Sequence, residues 1–219
     1  MNSNWTRRDF LIGSGAALAA VQALDHLHPC CAMAADASTA GSELFELKPV
    51  ADGIYAAIAA PRYKVNCNAT VILTNDGVVV VDSHSKPSAA LALYREVQSI
   101  TKQPIKRVIN THFHWDHWQG NQVYAQAYPG LEIISSERTR QNLTTPGAGA
   151  GGISYIEKQL ELVPKEIEMI GNELASATDA AQRMRLEANL RQAKAYLDEL
   201  RQMQPALPTR TFDKSVSLN

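Results

Sequence analysis

Three histidines and one carboxylate fall within six consecutive positions, His112-Phe113-His114-Trp115-Asp116-His117, and no other stretch of the chain restricts its fold as tightly. The segment follows Val108-Ile109, an apolar pair that reads as a strand. Where the chain is still extended, residues two apart point to the same side, so His112 and His114 can approach one cation. Asp116 and His117 come after the chain turns toward the next helix and can face the same cavity from another wall. Neutral imidazoles with a carboxylate are the donors expected for zinc, or for a similar divalent ion such as iron. Gly120 lets the backbone pass close by, and the helix opening there brings its positive end near the site. A patch of surface histidines is the bland alternative, and it leaves this spacing of four ligand-type residues unaccounted for.

The flanking sequence supplies alternating strands and helices. Ile54 to Ala59 and Ala69 to Thr74 read as strands, and Asn75-Asp76-Gly77 as a hairpin turn before Val78-Val79-Val80-Val81. Four valines in a row suit a strand buried on both faces. Pro87 opens a helix through about Ile100, Gly120 to Ala127 form another, and Leu131 to Ile134 a further strand. This order argues for an α/β layered domain. Thr144 to Gly152 is a glycine-rich, flexible loop. Beyond it, Ser154 and Glu157 form a capping-box pattern, and Ile156, Leu160, Val163, Ile167, Ile170 and Leu174 keep a helical rhythm. Leu186, Leu190, Ala193, Leu197 and Leu200 repeat it after a break at Ser176 to Asp179. The two stripes make an antiparallel helical pair with a coiled-coil seam, kinked but not ended at Pro164. Plain helix packing explains the pair; a lid or a dimerisation arm is the functional alternative. Thr211 to Leu218 reads as one more strand.

Composition narrows the classes of function. A net charge of -1 on 219 residues gives no field to recruit nucleic acid, and no run approaches the length of a membrane span. Three cysteines cannot build a disulfide framework. The N-terminus is an address: Thr6-Arg7-Arg8-Asp9-Phe10-Leu11 is similar to a twin-arginine export signal, a short apolar stretch follows, and Ala32-Met33-Ala34 fits a signal peptidase site. Residues 1–34 are thus expected to direct export to the periplasm or beyond through the twin-arginine machinery. Cys30 and Cys31 would leave with them, and Cys67 would fill core.

His112-x-His114-x-Asp116-His117 followed by Gly120 resembles the shared signature of the metallo-β-lactamase-fold hydrolases. Val78 to Asp82 looks like the family's buried strand ending in an aspartate, and the likeness covers about residues 47 to 136. It implies a four-layer αββα sandwich, of which 35–153 would be the N-terminal portion, 154–204 a helical hairpin insertion and 205–219 the start of the C-terminal part. It implies two zinc ions, one on His112 and His114, the other on Asp116 and His117, with Asp82 supporting the ligands from behind. The implied chemistry is hydrolysis of an ester, lactone, thioester or β-lactam in a small-molecule substrate by a metal-held hydroxide, with Asp116 orienting the nucleophile or passing a proton. Trp115 and Trp118 either wall the pocket or pack as core. A mononuclear iron oxygenase on the same fold, and a non-catalytic scaffold recruiting a partner through the hairpin, are the alternatives.

One departure stands out. The family draws a third histidine, a bridging carboxylate and a last histidine from its C-terminal half, whereas the six histidines here are His26, His28, His84, His112, His114 and His117. The expectation is an N-terminal part of such an enzyme, binding metal weakly and leaving one sheet face uncovered. His84 could substitute as a ligand, though a turn histidine at a strand end is the commoner case.

Overall fold

The structure, a computed structural model, describes residues 43–60, 64–147, 149 and 151–218. The export segment expected over residues 1–34 lies outside the described residues. One seven-stranded sheet carries the chain in sequence order: β1 (Phe45–Ala51), β2 (Ile54–Ala59), β3 (Ala69–Thr74), β4 (Gly77–Val81), β5 (Ile105–Ile109), β6 (Glu132–Ser136) and β7 (Arg210–Phe212). β1 to β4 form an antiparallel meander, and β4 to β7 are parallel. The switch follows from the connections: tight turns join the meander, and helices fill the later crossovers. Those helices are α1 (Pro87–Ile100), α2 (Trp115–Trp118), α3 (Asn121–Ala127), α4 (Glu137–Thr144), α5 (Ser154–Ser176) and α6 (Ala180–Arg201).

Period-two alternation decides which residues meet the helices. Val71, Val78, Val80, Val108 and Ile133 point to one face, where Leu93 and Val97 of α1 and Tyr124 of α3 close the main core. The opposite face carries Ile72, Val79, Arg107 and Ile109, with Leu218 reaching over them. On this face Val79 is only 5% exposed, while Ile72, Arg107 and Ile109 are half-buried. A second apolar cluster lies elsewhere, under the hairpin: Trp118 of α2, Leu143 of α4, Ile156 and Val163 of α5, and Tyr196, Leu197 and Leu200 of α6.

The α/β expectation holds, and several boundaries move. The capping box does not form: α5 starts at Ser154 behind Ile153, with no side-chain cap. The second stripe is capped instead, by Asp179, whose carboxylate accepts from the Gln182 amide at 2.7 Å. α5 runs through Pro164 without a break. The strand expected over Thr211 to Leu218 shrinks to three residues, Arg210–Phe212. The glycine loop is not mere linker at its end, since Gly151 and Gly152 are buried and a side-chain carbon on Gly151 would sit 2.2 Å from the Phe113 ring.

Candidate metal centre

The site is built where two strand ends meet. β4 stops at Val81, and the chain turns through Asp82 and His84 with φ of 59° and 66°, the left-handed region that aspartate tolerates better than most residues. The Asp82 amide donates to Ile109 O at the end of β5, and the Ser83 amide to His117 O. His117 O also accepts from Asn110 Nδ2. Asn110 and Asn121 then pair reciprocally through their amides, at 3.0 and 2.8 Å, closing both ends of the histidine segment. Gly120 keeps an ordinary φ of -82° but no space: an added side-chain carbon would lie 2.0 Å from Ser83 O.

Asp82 organises the donors. Its Oδ1 accepts from the Thr111 amide at 2.9 Å, and its Oδ2 from Thr111 Oγ1 and His117 Nδ1, both at 2.8 Å. An ionised carboxylate only accepts, so His117 Nδ1 carries the proton and Nε2 is left with its lone pair. The Thr111 hydroxyl gives its one proton to Asp82, so toward His112 Nδ1, at 3.0 Å, it is an acceptor. His112 is therefore held in the same tautomer. One buried carboxylate fixes two imidazoles with Nε2 available, the arrangement usual behind metal-bound histidines.

The rings gather accordingly. The His112 centroid lies 4.0 Å from that of His117 and 4.7 Å from that of His114. Asp116 Oδ2 lies 3.6 Å from His117 Nε2. Burial pulls the His117 pKa down, but the hydrogen bond and charge of Asp82, helped by Asp116, outweigh it and leave the pKa raised. Burial and the neighbouring His117 and His114 hold that of His112 below its usual value. Imidazoles with a carboxylate suit zinc or iron, so in chemistry and in tautomer the residues fit a divalent cation. In convergence they fall short. Among the described residues no group of three or more His, Cys, Asp or Glu side chains is arranged to hold a metal ion.

His84 stands apart as a buried core histidine. Its Nδ1 faces Cys67 O at 3.0 Å, its ring stacks on Phe45, and its Nε2 is buried without a partner. Burial lowers its pKa to about 4. Cys67 is buried as expected, which pushes its thiol pKa up. Trp118 is core, with Nε1 donating to Phe113 O and Gly151 O. Trp115 is half-buried beside Tyr155, with Lys64 Nζ 5.9 Å from its ring centroid. Sequence reasoning missed Thr111, whose only signal was its place between Asn110 and His112.

The family model described as the metallo-beta-lactamase superfamily matches residues 62–171, half of the chain. Among solved structures, the chain is similar to the metallo-beta-lactamase FIM-1 from Pseudomonas aeruginosa in its mono-zinc form, at 15% identity and a TM-score of 0.41 over 48% of this chain and 47% of that one. It is similar also to a metallo-beta-lactamase from Pontibacter korlensis, at 21% identity and a TM-score of 0.42 over 49% and 50% of the two chains. A third, from Hirschia baltica, gives 20% identity and 0.39 over 44% and 45%. The match thus spans about half the length of each of these structures.

Proposed function

The chain belongs to the metallo-beta-lactamase superfamily, and from that premise we propose that it is a metal-dependent hydrolase, zinc being the first candidate metal, with His112, His114, Asp116 and His117 as its ligands. The observation that carries the reading is the hydrogen-bond chain from His112 through Thr111 to Asp82 and back to His117. It makes both imidazoles Nε2 donors before any metal arrives. When bound, the metal supplies a hydroxide near neutral pH by lowering the pKa of water to about 7.

The protein's own residues divide the remaining work. Asp82 orients two rings, His117 directly and His112 through Thr111. Asp116, beside His117 Nε2, is placed to hold the proton of the attacking water and pass it on. Trp115, half-buried, packs with Tyr155 and Tyr196 against the hairpin cluster and anchors the start of the short helix that carries Asp116 and His117. Esters, thioesters, lactones and β-lactams are the substrate classes proposed. The Arg7-Arg8 signal supports export by the twin-arginine route to the periplasm as part of the same reading.

Metal content per chain tests this, by elemental analysis after equilibration with zinc and removal of excess. The expected result is saturable uptake, lost in His112→Ala with His117→Ala and weakened about 10- to 100-fold in Asp82→Asn. Uptake unchanged in all these variants overturns the ligand assignment, and a hydrolase panel inactive with the metal-loaded protein overturns the activity.

A further inference from the structure

The hairpin of α5 and α6 holds the histidine segment through buried contacts that neither the family likeness nor the ligand set explains. Four of the five residues that follow His117 each reach it or its connecting chain. Trp118 Nε1 donates to Gly151 O at 2.7 Å. Gln119 Nε2 donates to Gln159 Oε1 of α5 at 3.0 Å, and Tyr196 OH of α6 lies 2.8 Å from Gln159 Oε1 and 3.0 Å from Gln119 Oε1. Asn121 Nδ2 donates to Ala206 O, and Gln122 Oε1 accepts from the Gln204 amide, both on the chain leaving α6. Gln119, Gln159 and Tyr196 are each at most 2% exposed.

We infer that Gln159 and Tyr196 are positioning residues for the candidate metal centre, acting through Gln119 on the short helix that carries Asp116 and His117. This rests on the metal-site reading above. α2 has four residues and no side-chain cap, far below the length at which a helix holds itself. Its turn therefore depends on what packs against it, and the far side of that turn is a polar triad in an apolar cluster, joined through Gln159 Oε1 with Gln159 Nε2 buried and left without a partner. Buried hydrogen bonds of this kind specify one arrangement, because breaking any of them strands a polar group away from water. A lid would meet the site through contacts that open at little cost. This hairpin meets it through contacts that do not, so it is part of the frame of the site.

Tyr196→Phe removes one hydroxyl and keeps the ring in the cluster; Gln159→Leu removes the amide. Leu186→Ala serves as control, since Leu186 is buried on α6 but has no part in the triad. Two readouts are taken on the full chain: zinc affinity by competition with a chromophoric chelator, and amide hydrogen exchange of the metal-free protein. Both triad variants are expected to weaken zinc about tenfold and to speed exchange at the His117 and Gln119 amides, which bond to His114 O and Trp115 O, while α1 amides keep their rates. Leu186→Ala is expected to leave zinc affinity alone and to speed exchange no more at His117 and Gln119 than in α1. Unchanged exchange at His117 and Gln119 in the triad variants overturns the inference, as does an equal effect from Leu186→Ala. If the unsubstituted protein takes up no zinc, the metal reading fails and the exchange experiment alone decides the positioning role.

Discussion

At the scale of single residues, Asp82 and His84 sit two positions apart and do opposite things with charge. Asp82 is 6% exposed and stays partnered on both oxygens by Thr111 and His117. Asp82→Asn keeps the left-handed turn, which asparagine also tolerates, and removes the charge that raises the His117 pKa. Burial, the largest influence on that ring and opposed mainly by Asp82, then prevails. The His117 pKa should move from above its usual value to below it, as read by NMR titration of the metal-free protein; a value that stays raised would assign the effect to Asp116. His84 is buried neutral, with its pKa lowered from 6.5 to about 4. Below pH 6.5 the unfolded chain takes up a proton that the folded chain refuses until about pH 4. Stability is thus fully present above 6.5 and lost as pH falls through that window, by roughly 3 kcal/mol from this one group. Urea unfolding at a series of pH values should show the slope flattened in His84→Asn, and an unaltered slope would place the acid sensitivity elsewhere.

At the scale of elements, the N-terminus of α1 is capped by a residue over a hundred positions away. Its N-cap residue, Lys86, makes no side-chain cap, and Glu199 of α6 instead accepts from the Ser88 amide and hydroxyl, both at 2.8 Å. Burial raises the Glu199 pKa against these hydrogen bonds and the nearby Lys86, which is itself buried. Glu199→Ala should cost about 1 to 2 kcal/mol, seen as a lower urea midpoint at constant slope; an unmoved midpoint would make the contact ornamental. The same residue illustrates what sequence can reveal. Pro87 to Ile100 and Ile54 to Ala59 were legible to the residue because a proline start and a short apolar run are local signals. β1 was not, since Phe45–Ala51 holds Pro49 and a register shift at the sheet edge. Glu199, Gln119 and Tyr196 carry no local mark of their partners, which lie 111, 40 and 77 positions away. The histidines were legible because their spacing is itself short-range; what orients them was not.

At the scale of the whole molecule, the two apolar clusters raise the question of whether hairpin and sheet unfold together. One cluster joins α1 and α3 to the sheet, and the other joins α5 and α6 to α2 and α4. The histidine segment spans the gap, with Asn110 and Asn121 anchored at the end of β5 and Trp118 sunk in the hairpin cluster. Glu199 on Ser88 and Asn121 on Ala206 O tie the halves again. With buried polar bonds crossing at several points, opening the hairpin alone would strand groups on both sides, each costing about 1 to 3 kcal/mol. The expected behaviour is therefore one cooperative transition. Leu200→Ala, at a position 2% exposed in the hairpin cluster, should lower stability by roughly 2 to 5 kcal/mol and move far-UV and near-UV circular dichroism midpoints together. A helical signal lost ahead of the aromatic one would mean that the hairpin melts on its own, and the histidine segment would then have to keep its shape without it.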